Sequence, residues 1–327
     1  MHILVVGGAG YIGCHMVKKL LESGQSVTVL DNFSTGHRSS VIGGEIIEGN
    51  CGDQTLLDSL FRKRKFDCVM QFASFIQVGE SVTDPGKYYR NNTVETLSIL
   101  ESMVRNRVTR FIFSSSAAIF GEPKYVPIDE NHPKFPINPY GASKLMVERI
   151  LEDFDKAHGL RSVSLRYFNA AGADPDGKLG ERHDPETHLI PLVLMVASGR
   201  RESVGIFGDD YDTPDGTCIR DYIHIIDLCK AHLLAMNYLK DGGQTARFNL
   251  GNGEGFSVRE VIAAVEASAG KPIRCFSEAR RPGDPARLVA DSKLARSTLG
   301  WNPIYGDLSL IVRHAWAWEQ RLAGSIR

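Results

Sequence analysis

The sequence predicts an α/β protein: a doubly wound parallel sheet with a smaller α/β lobe at its carboxyl-terminal side. Three observations predict it. Short continuous apolar runs, as expected of strands buried on both faces, alternate with segments of helical periodicity through the first 172 residues. The first of these units is built around a glycine-rich turn. Beyond about residue 172 the texture shifts to shorter, less regular elements, beginning with an Asp-, Gly- and Pro-rich loop over 174–186.

Taken in order, Ile3-Leu4-Val5-Val6 reads as the first strand and runs directly into Gly7-Gly8-Ala9-Gly10-Tyr11-Ile12-Gly13. Ile12, Met16, Val17, Leu20 and Leu21 then share one helical face, Ser23-Gly24 breaks the pattern, and Val27-Thr28-Val29-Leu30 is a second strand ending at Asp31. Strand, glycine loop, helix and strand make a βαβ unit of the Rossmann type. Glycines let backbone approach a pyrophosphate, and the helix N-terminus stabilises its charge. Asp31 lies 18 residues past Gly13, near the separation of about 20 expected for a carboxylate that binds the adenosine ribose. A carboxylate there repels a 2′-phosphate, so NAD is expected rather than NADP. Arg38 is a reservation, because the loop could bring it near.

Further strands are expected at 66–72, 110–113 and 162–166, and helices at 91–104 and 138–157. Ligands of such a sheet lie at the carboxyl ends of its strands. Asp31, the serines 114–116 and Asn169 all follow strands and should line one crevice. The expected division is a cofactor-binding domain over 1–172, rejoined by parts of 220–250, and a smaller lobe over 173–327.

Composition narrows the function. The chain of 327 residues carries 24% charged residues and a net charge of −1, so nothing points to nucleic acid or an anionic membrane. No apolar run reaches the roughly 18 residues needed to span a bilayer. Six cysteines without a Cys-x-x-Cys pair read as reduced thiols of a cytoplasmic protein, with no metal site expected.

Tyr140-Gly-Ala-Ser-Lys144 carries the chemistry. On a helix, Tyr140 and Lys144 share one face. A phenol becomes a base at pH 7 only if its pKa falls by roughly three units, about 4 kcal/mol in favour of phenolate. A neighbouring Lys⁺ and a cationic nicotinamide could supply that together. In the carboxyl-terminal lobe, Arg220 and Arg281, with Asp284 and loop glycines beside them, suit the phosphates of a nucleotide.

The whole chain resembles the extended short-chain dehydrogenase/reductases, and within them the UDP-galactose 4-epimerases. The likeness rests on the glycine loop, Leu30-Asp31-Asn32, Tyr88-Tyr89-Arg90-Asn91-Asn92, Phe113-Ser114-Ser115-Ser116-Ala117, Pro139 to Lys144, Leu165-Arg166-Tyr167-Phe168-Asn169, Ile206-Phe207-Gly208-Asp209-Asp210-Tyr211, Arg220-Asp221-Tyr222-Ile223-His224 and Arg280-Arg281-Pro282-Gly283-Asp284. The resemblance implies NAD held by Gly7, Gly10, Tyr11, Ile12, Gly13, Asp31, Asn32, Asn50, Phe72, Ala73, Asn91, Ser114, Tyr140, Lys144 and Tyr167. It implies catalysis by Ser116, Tyr140 and Lys144, with Lys144 lowering the Tyr140 pKa. It implies a UDP-sugar held by Ser116, Tyr140, Asn169, His188, Leu189, Gly205, Phe207, Arg220, Tyr222, Arg281, Asp284 and Leu288. It also implies a homodimer formed through helices near 91–106 and 138–157.

Several positions depart from that pattern: Asn50 for an Asp, Ser74-Phe75-Ile76 for Gly-x-Lys, Phe120 for Tyr, and His188 for Asn. Related dehydratases place Asp and Glu just after the Ser or Thr, because eliminating water needs an acid and a base. Here those positions are Ala117 and Ala118, which favours oxidation and re-reduction without elimination. N-acetylhexosamine specificity is one alternative reading. A non-enzymatic NAD sensor on the same fold is another, against which the chain keeps Ser116, Tyr140 and Lys144.

Overall fold

The computed structural model describes residues 1–281 and 283–325. In chain order the elements are β1 (His2–Val6), α1 (Tyr11–Glu22), β2 (Ser26–Asp31), β3 (Glu45–Glu48), α2 (Gln54–Lys63), β4 (Cys68–Gln71), α3 (Val78–Thr83), α4 (Pro85–Tyr88), a π-helical turn (Tyr89–Val94), α5 (Glu95–Arg105), β5 (Arg110–Ser116), α6 (Pro139–His158), β6 (Arg161–Tyr167) and β7 (Asn169–Ala171). The remainder comprises α7 (Leu189–Ser198), β8 (Val204–Phe207), β9 (Ile219–Arg220), β10 (Tyr222–His224), α8 (Ile225–Lys240), β11 (Ala246–Leu250), β12 (Phe256–Ser257), α9 (Val258–Ala269), β13 (Cys275–Glu278), β14 (Arg287–Leu288), α10 (Lys293–Leu299) and α11 (Leu308–Ser325).

Seven parallel strands form the central sheet in the order β11-β6-β5-β4-β1-β2-β3. The continuous apolar runs are explained by its two covered faces. Along β1, Ile3 and Val5 join the core beneath α1 and α8, while Leu4 and Val6 join the core beneath α2, α5 and α6. Neither face meets water, so no polar alternation is needed. From β1 the strand order runs one way to β2 and β3 and the other way to β4, β5 and β6. That reversal opens a crevice at the carboxyl ends of β1 and β4, where ligands of this fold bind.

The remaining elements pack separately. Ile190, Val193, Leu194, Ile206, Tyr222, Val261, Val265, Ile311 and Val312 form a core of their own from α7, β8, β10, α9 and α11. β8 pairs with β13, and β9 lies between β12 and β14. The chain returns from this region through β10 and α8 to β11, which pairs with β6 from Ala246↔Val163 to Leu250↔Tyr167.

Sequence boundaries and structure differ most at two places. Periodicity predicts one helix over 91–104, yet the turn at Tyr89–Val94 is π-helical and α5 starts only at Glu95. Such insertions cluster at functional sites because they re-aim side chains. The strand expected at 110–113 runs on to Ser116, because its polar serines stay buried and in register with β6.

Candidate active site

The glycine loop follows β1 without slack. Gly7 has φ +80°, and a Cβ there would lie 2.3 Å from the Ala73 nitrogen. A Cβ on Gly13 would lie 2.1 Å from the Gly7 carbonyl oxygen. Both glycines are therefore required by packing of backbone on backbone. Gly10 is different: its nearest neighbour would be the Gly7 oxygen at 3.6 Å, so protein packing does not demand a glycine there. Gly10 caps α1 with no side-chain hydrogen bond. The first N–H groups of the helix thus lack a side-chain acceptor, and the cradle and helix dipole fit a pyrophosphate.

Around this cradle stand the other sequence-predicted cofactor residues. Asp31 ends β2 and accepts from Ala9 N at 2.8 Å and from Phe33 N at 2.8 Å, which fixes its carboxylate beside the glycine loop. Asn32 turns back to accept from Ser34 N at 3.0 Å. Arg38 is engaged by Glu48 and lies 4.3 Å over the Phe33 ring; the basic residue that could have suited a 2′-phosphate already has a carboxylate partner. Asn50 accepts from Gly52 N at 2.6 Å. Phe72 N and Ala73 N both donate to Val6 O, holding that segment at the end of β1. Tyr11 donates its hydroxyl to Gly172 O at 2.7 Å, and Ile12 packs against the core.

The π-helical turn brings two asparagines to one backbone amide. Phe75 N donates to Asn91 Oδ1 at 3.2 Å and to Asn92 Oδ1 at 3.0 Å. Asn92 Nδ2 donates to Phe75 O and to Ser143 Oγ, both at 3.1 Å. Asn92 thereby ties segment 72–76, including the departures Ser74 and Ile76, to α6. The sequence reading assigned Asn92 no role; its pairing with Asn91 at the start of an irregular helix is the signal that could have marked it. Phe120 is 1% exposed and packs edge-on against His132.

α6 begins with Asn138 accepting from Gly141 N at 2.8 Å and Pro139 in the first turn. This cap sets the rotation that turns Gly141, Ser143, Lys144, Val147, Glu148 and Leu151 inward. Lys144 is 4% exposed and donates to Ser114 O at 2.9 Å, with its ammonium 5.8 Å from the centre of the Tyr140 ring. Ser116 ends β5 and accepts from Ala118 N at 3.1 Å, and its hydroxyl stands by the Tyr140 phenol, where it opposes the upward push of burial. Ser114 hydrogen-bonds the Tyr167 hydroxyl. Beneath them Glu148 accepts from Arg166 Nη2 at 2.6 Å and from Ser115 Oγ at 2.6 Å, a buried pair that fixes α6 on the sheet.

Electrostatics bear on the Tyr140–Lys144 pair. Burial lowers Lys144 to about 7. Burial also raises the Tyr140 phenol, and the hydrogen bond from Ser116 only partly opposes it. In the protein alone burial keeps the phenol above its ordinary value, while the Lys144 amine is itself desolvated and donates to the Ser114 carbonyl. A phenolate at neutral pH therefore needs the further positive charge of a bound nicotinamide.

The predicted substrate residues fall into two groups. Arg220 on β9 pairs with Asp284, and Leu288 on β14 stands in register opposite Arg220. The Arg281 guanidinium lies 3.8 Å over the ring of Phe207 at the end of β8, with Gly205 in the same strand. Asp284 and Arg281 line a cavity of about 430 Å³ with Glu122, Tyr211, Arg280, Gly283 and Ala286. Tyr222 is 5% exposed and belongs to the hydrophobic core of this region. Asn169 donates its Nδ2 to Asp221 O at 2.9 Å. Asp221, fully buried, accepts from the backbone of Asn252, Gly253 and Ala290 at 2.8 to 3.1 Å. Burial lifts it to about 6 against those bonds. It had no assigned role in the sequence, yet it anchors both Asn169 and the strand of Arg220.

His188 and Leu189 form the second group, at the start of α7. His188 Nδ1 lies 2.6 Å from Glu181 and 3.3 Å from Glu186. Burial lowers the imidazole, but the two carboxylates prevail and hold it up at about 10. Among the described residues no helix is long and apolar enough to cross a membrane.

Comparison with known proteins bears on this arrangement. The profile of the NAD dependent epimerase/dehydratase family matches residues 3–251. The UDP-glucose 4-epimerase of Halalkalibacterium halodurans is 51% identical over 98% of this chain and 96% of its own length. The structure of the Brucella ovis UDP-glucose 4-epimerase in complex with NAD superposes with a TM-score of 0.96 at 49% identity, covering 98% of both chains. That of the Bifidobacterium longum enzyme, in complex with NAD⁺ and UDP, gives 0.94 at 39% identity, again over 98% of both.

Proposed function

Because this chain belongs to the NAD dependent epimerase/dehydratase family, we propose that it inverts C4 of a UDP-hexose, interconverting UDP-galactose and UDP-glucose with NAD as resident cofactor. The observation that carries the reading is Ser116 beside the Tyr140 phenol, with Lys144 one turn on and two alanines after the serine. Ser116 and Tyr140 receive the O4 hydroxyl of the sugar. Tyr140 takes its proton and later returns it, while Ser116 orients the oxygen. Lys144 holds the cofactor's ribose from the buried face of α6. NAD, when bound, supplies a hydride acceptor that gives the hydride back. Ala117 and Ala118 can move no proton, so the sugar keeps its hydroxyls.

Arg220, Arg281 and Asn169 hold the diphosphate, Phe207 and Tyr222 the uracil end, and Asp284 the uridine ribose. His188 and Leu189 face the diphosphate from α7, with Gly205 and Leu288 completing the pocket. Gly7, Gly10, Gly13, Asp31, Asn50 and Asn91 with their neighbours hold NAD. In this division 1–172, rejoined by parts of 220–250, binds the cofactor and 173–327 binds the UDP-sugar. A homodimer through the helices near 91–106 and 138–157 is supported by exposed Val94 and Met146, at 55% and 47%. A cytoplasmic location is supported by six cysteines outside any disulfide, and a place in galactose metabolism follows from the proposed substrates. Incubation with UDP-galactose and separation of the products tests the central reading: UDP-glucose must accumulate to equilibrium without added NAD.

A further inference from the structure

We propose that Glu181, His183, Glu186 and His188 form a binding site for one divalent first-row transition-metal ion of the Zn²⁺ class. All four come from a single eight-residue segment, Glu181-x-His183-x-x-Glu186-x-His188, and one ligand atom of each lies within 4.8 Å of all the others. Two imidazole nitrogens and two carboxylate oxygens are a donor set that such ions accept.

Most of the distances also match the spacing of ligands about an ion. Bonds of about 2.0–2.2 Å to a tetrahedral centre place ligand atoms about 3.3–3.6 Å apart. His183 Nδ1 lies 3.2 Å from Glu181 Oε1 and 3.6 Å from Glu186 Oε2, and His188 Nδ1 lies 3.3 Å from the other Glu186 oxygen, Oε1. Only the 2.6 Å from His188 Nδ1 to Glu181 is too short, and it must open slightly on binding.

Direction supplies the independent observation. Glu181 Oε1, His183 Nδ1 and His188 Nδ1 are buried, yet none takes part in a hydrogen bond of acceptable geometry within the described residues. They are close enough to bond, so it is the ring axes that miss the carboxylate. Both glutamate side chains are only 6% exposed. Buried polar atoms of this kind are rarely left without partners, and a central ion would satisfy all of them at once.

The site would also have a structural consequence. The His183 ring stands edge-on to Tyr11 at 6.3 Å, and Arg182 O is 3.2 Å from His37 Nε2. An ion here would brace the 181–188 segment against the glycine loop and the loop after β2.

Chelator-treated full-length protein should bind Zn²⁺ alone saturably, one per chain, by calorimetry and elemental analysis. Co²⁺ should give the visible bands of a tetrahedral site without thiolate charge transfer, which excludes exposed Cys275. Glu186→Gln and His183→Ala should each weaken Zn²⁺ by more than the roughly 10- to 100-fold that loss of an outer-shell partner costs. Zn²⁺ should raise the melting temperature of the unmodified protein and not of the double variant. Glu186→Gln keeps the side chain's shape, so it tests the site even if His183→Ala fails to fold. Absence of saturable binding, or undiminished binding in folded Glu186→Gln, would overturn the proposal.

Discussion

Lys144 donates to the backbone oxygen of Ser114, two residues before Ser116 on the same strand. The ammonium is therefore held against the sheet, in a place where burial lowers it to about 7. Its ordinary value is about 10.4, so between these limits the unfolded chain holds a proton that the folded one has released. Stability rises with pH wherever the unfolded state binds more protons.

For protein emptied of NAD, the unmodified chain should accordingly gain stability relative to Lys144→Met as pH rises from about 7 towards 10. Below about 7 the difference between the two should level off. Denaturant titrations of both proteins across this window measure it. A difference that is flat, or that falls with pH, would show that Lys144 stays charged in the folded protein.

Tyr140→Phe removes the proton acceptor and little volume. It should fold, bind UDP, and lose roughly two to four orders of magnitude in kcat, the usual worth of a positioned acid or base. Near-normal turnover would assign the base elsewhere.

With Ala117 and Ala118 after the serine, the sugar should leave with its composition unchanged. Mass spectrometry of the product from a UDP- or dTDP-hexose should show no species one water lighter. Such a species would make the enzyme a dehydratase.

Arg281 lies on Phe207, which puts the proposed diphosphate cation beside the residue proposed for the uracil end. Arg281→Ala should raise KM for the UDP-sugar by roughly 10- to 150-fold, the equivalent of a charge-assisted hydrogen bond of about 1.5–3 kcal/mol. The effect on kcat should be much smaller. Initial-rate kinetics separate the two, and a loss confined to kcat would remove Arg281 from binding.

Leu288 stands in register with Arg220 and packs against the small core of Ala117, Ile119, Phe120 and Ile128. Steric mismatch of methylene size is worth about 1–3 kcal/mol, so UDP-galactose should be preferred over UDP-N-acetylgalactosamine by roughly 10- to 200-fold in kcat/KM. Leu288→Ser should narrow the gap and Leu288→Tyr should widen it. Equal efficiency on both sugars would dismiss the residue as a selector.

Local features were legible in the sequence and relational ones were not. The glycine loop, Asp31 and the Tyr140–Lys144 spacing each depend on neighbours within a turn or one βαβ unit, so their pattern is written in order. Asp221 acts through Asn252, Gly253 and Ala290, residues that only the folded chain brings to it. The same holds for Glu148 under Arg166 and for Asn92 against Ser143. Tyr140 shows a subtler limit. Spacing placed a cation one turn away, but it could not tell that burial would disfavour the charged forms of both the amine and the phenol.

The pairing of β11 with β6 has a consequence for how the protein is made. When β6 leaves the ribosome, its outer edge has no partner until roughly 80 further residues have followed. At roughly 5–20 residues per second, this edge stays unpaired for roughly 4–16 seconds. An open strand edge of this kind invites pairing with another nascent chain. A fragment ending near Gly172 would never close it. Such a fragment should accumulate as aggregate rather than as a free-standing NAD-binding unit, whereas one extended through Leu250 gains the strand that seals the sheet.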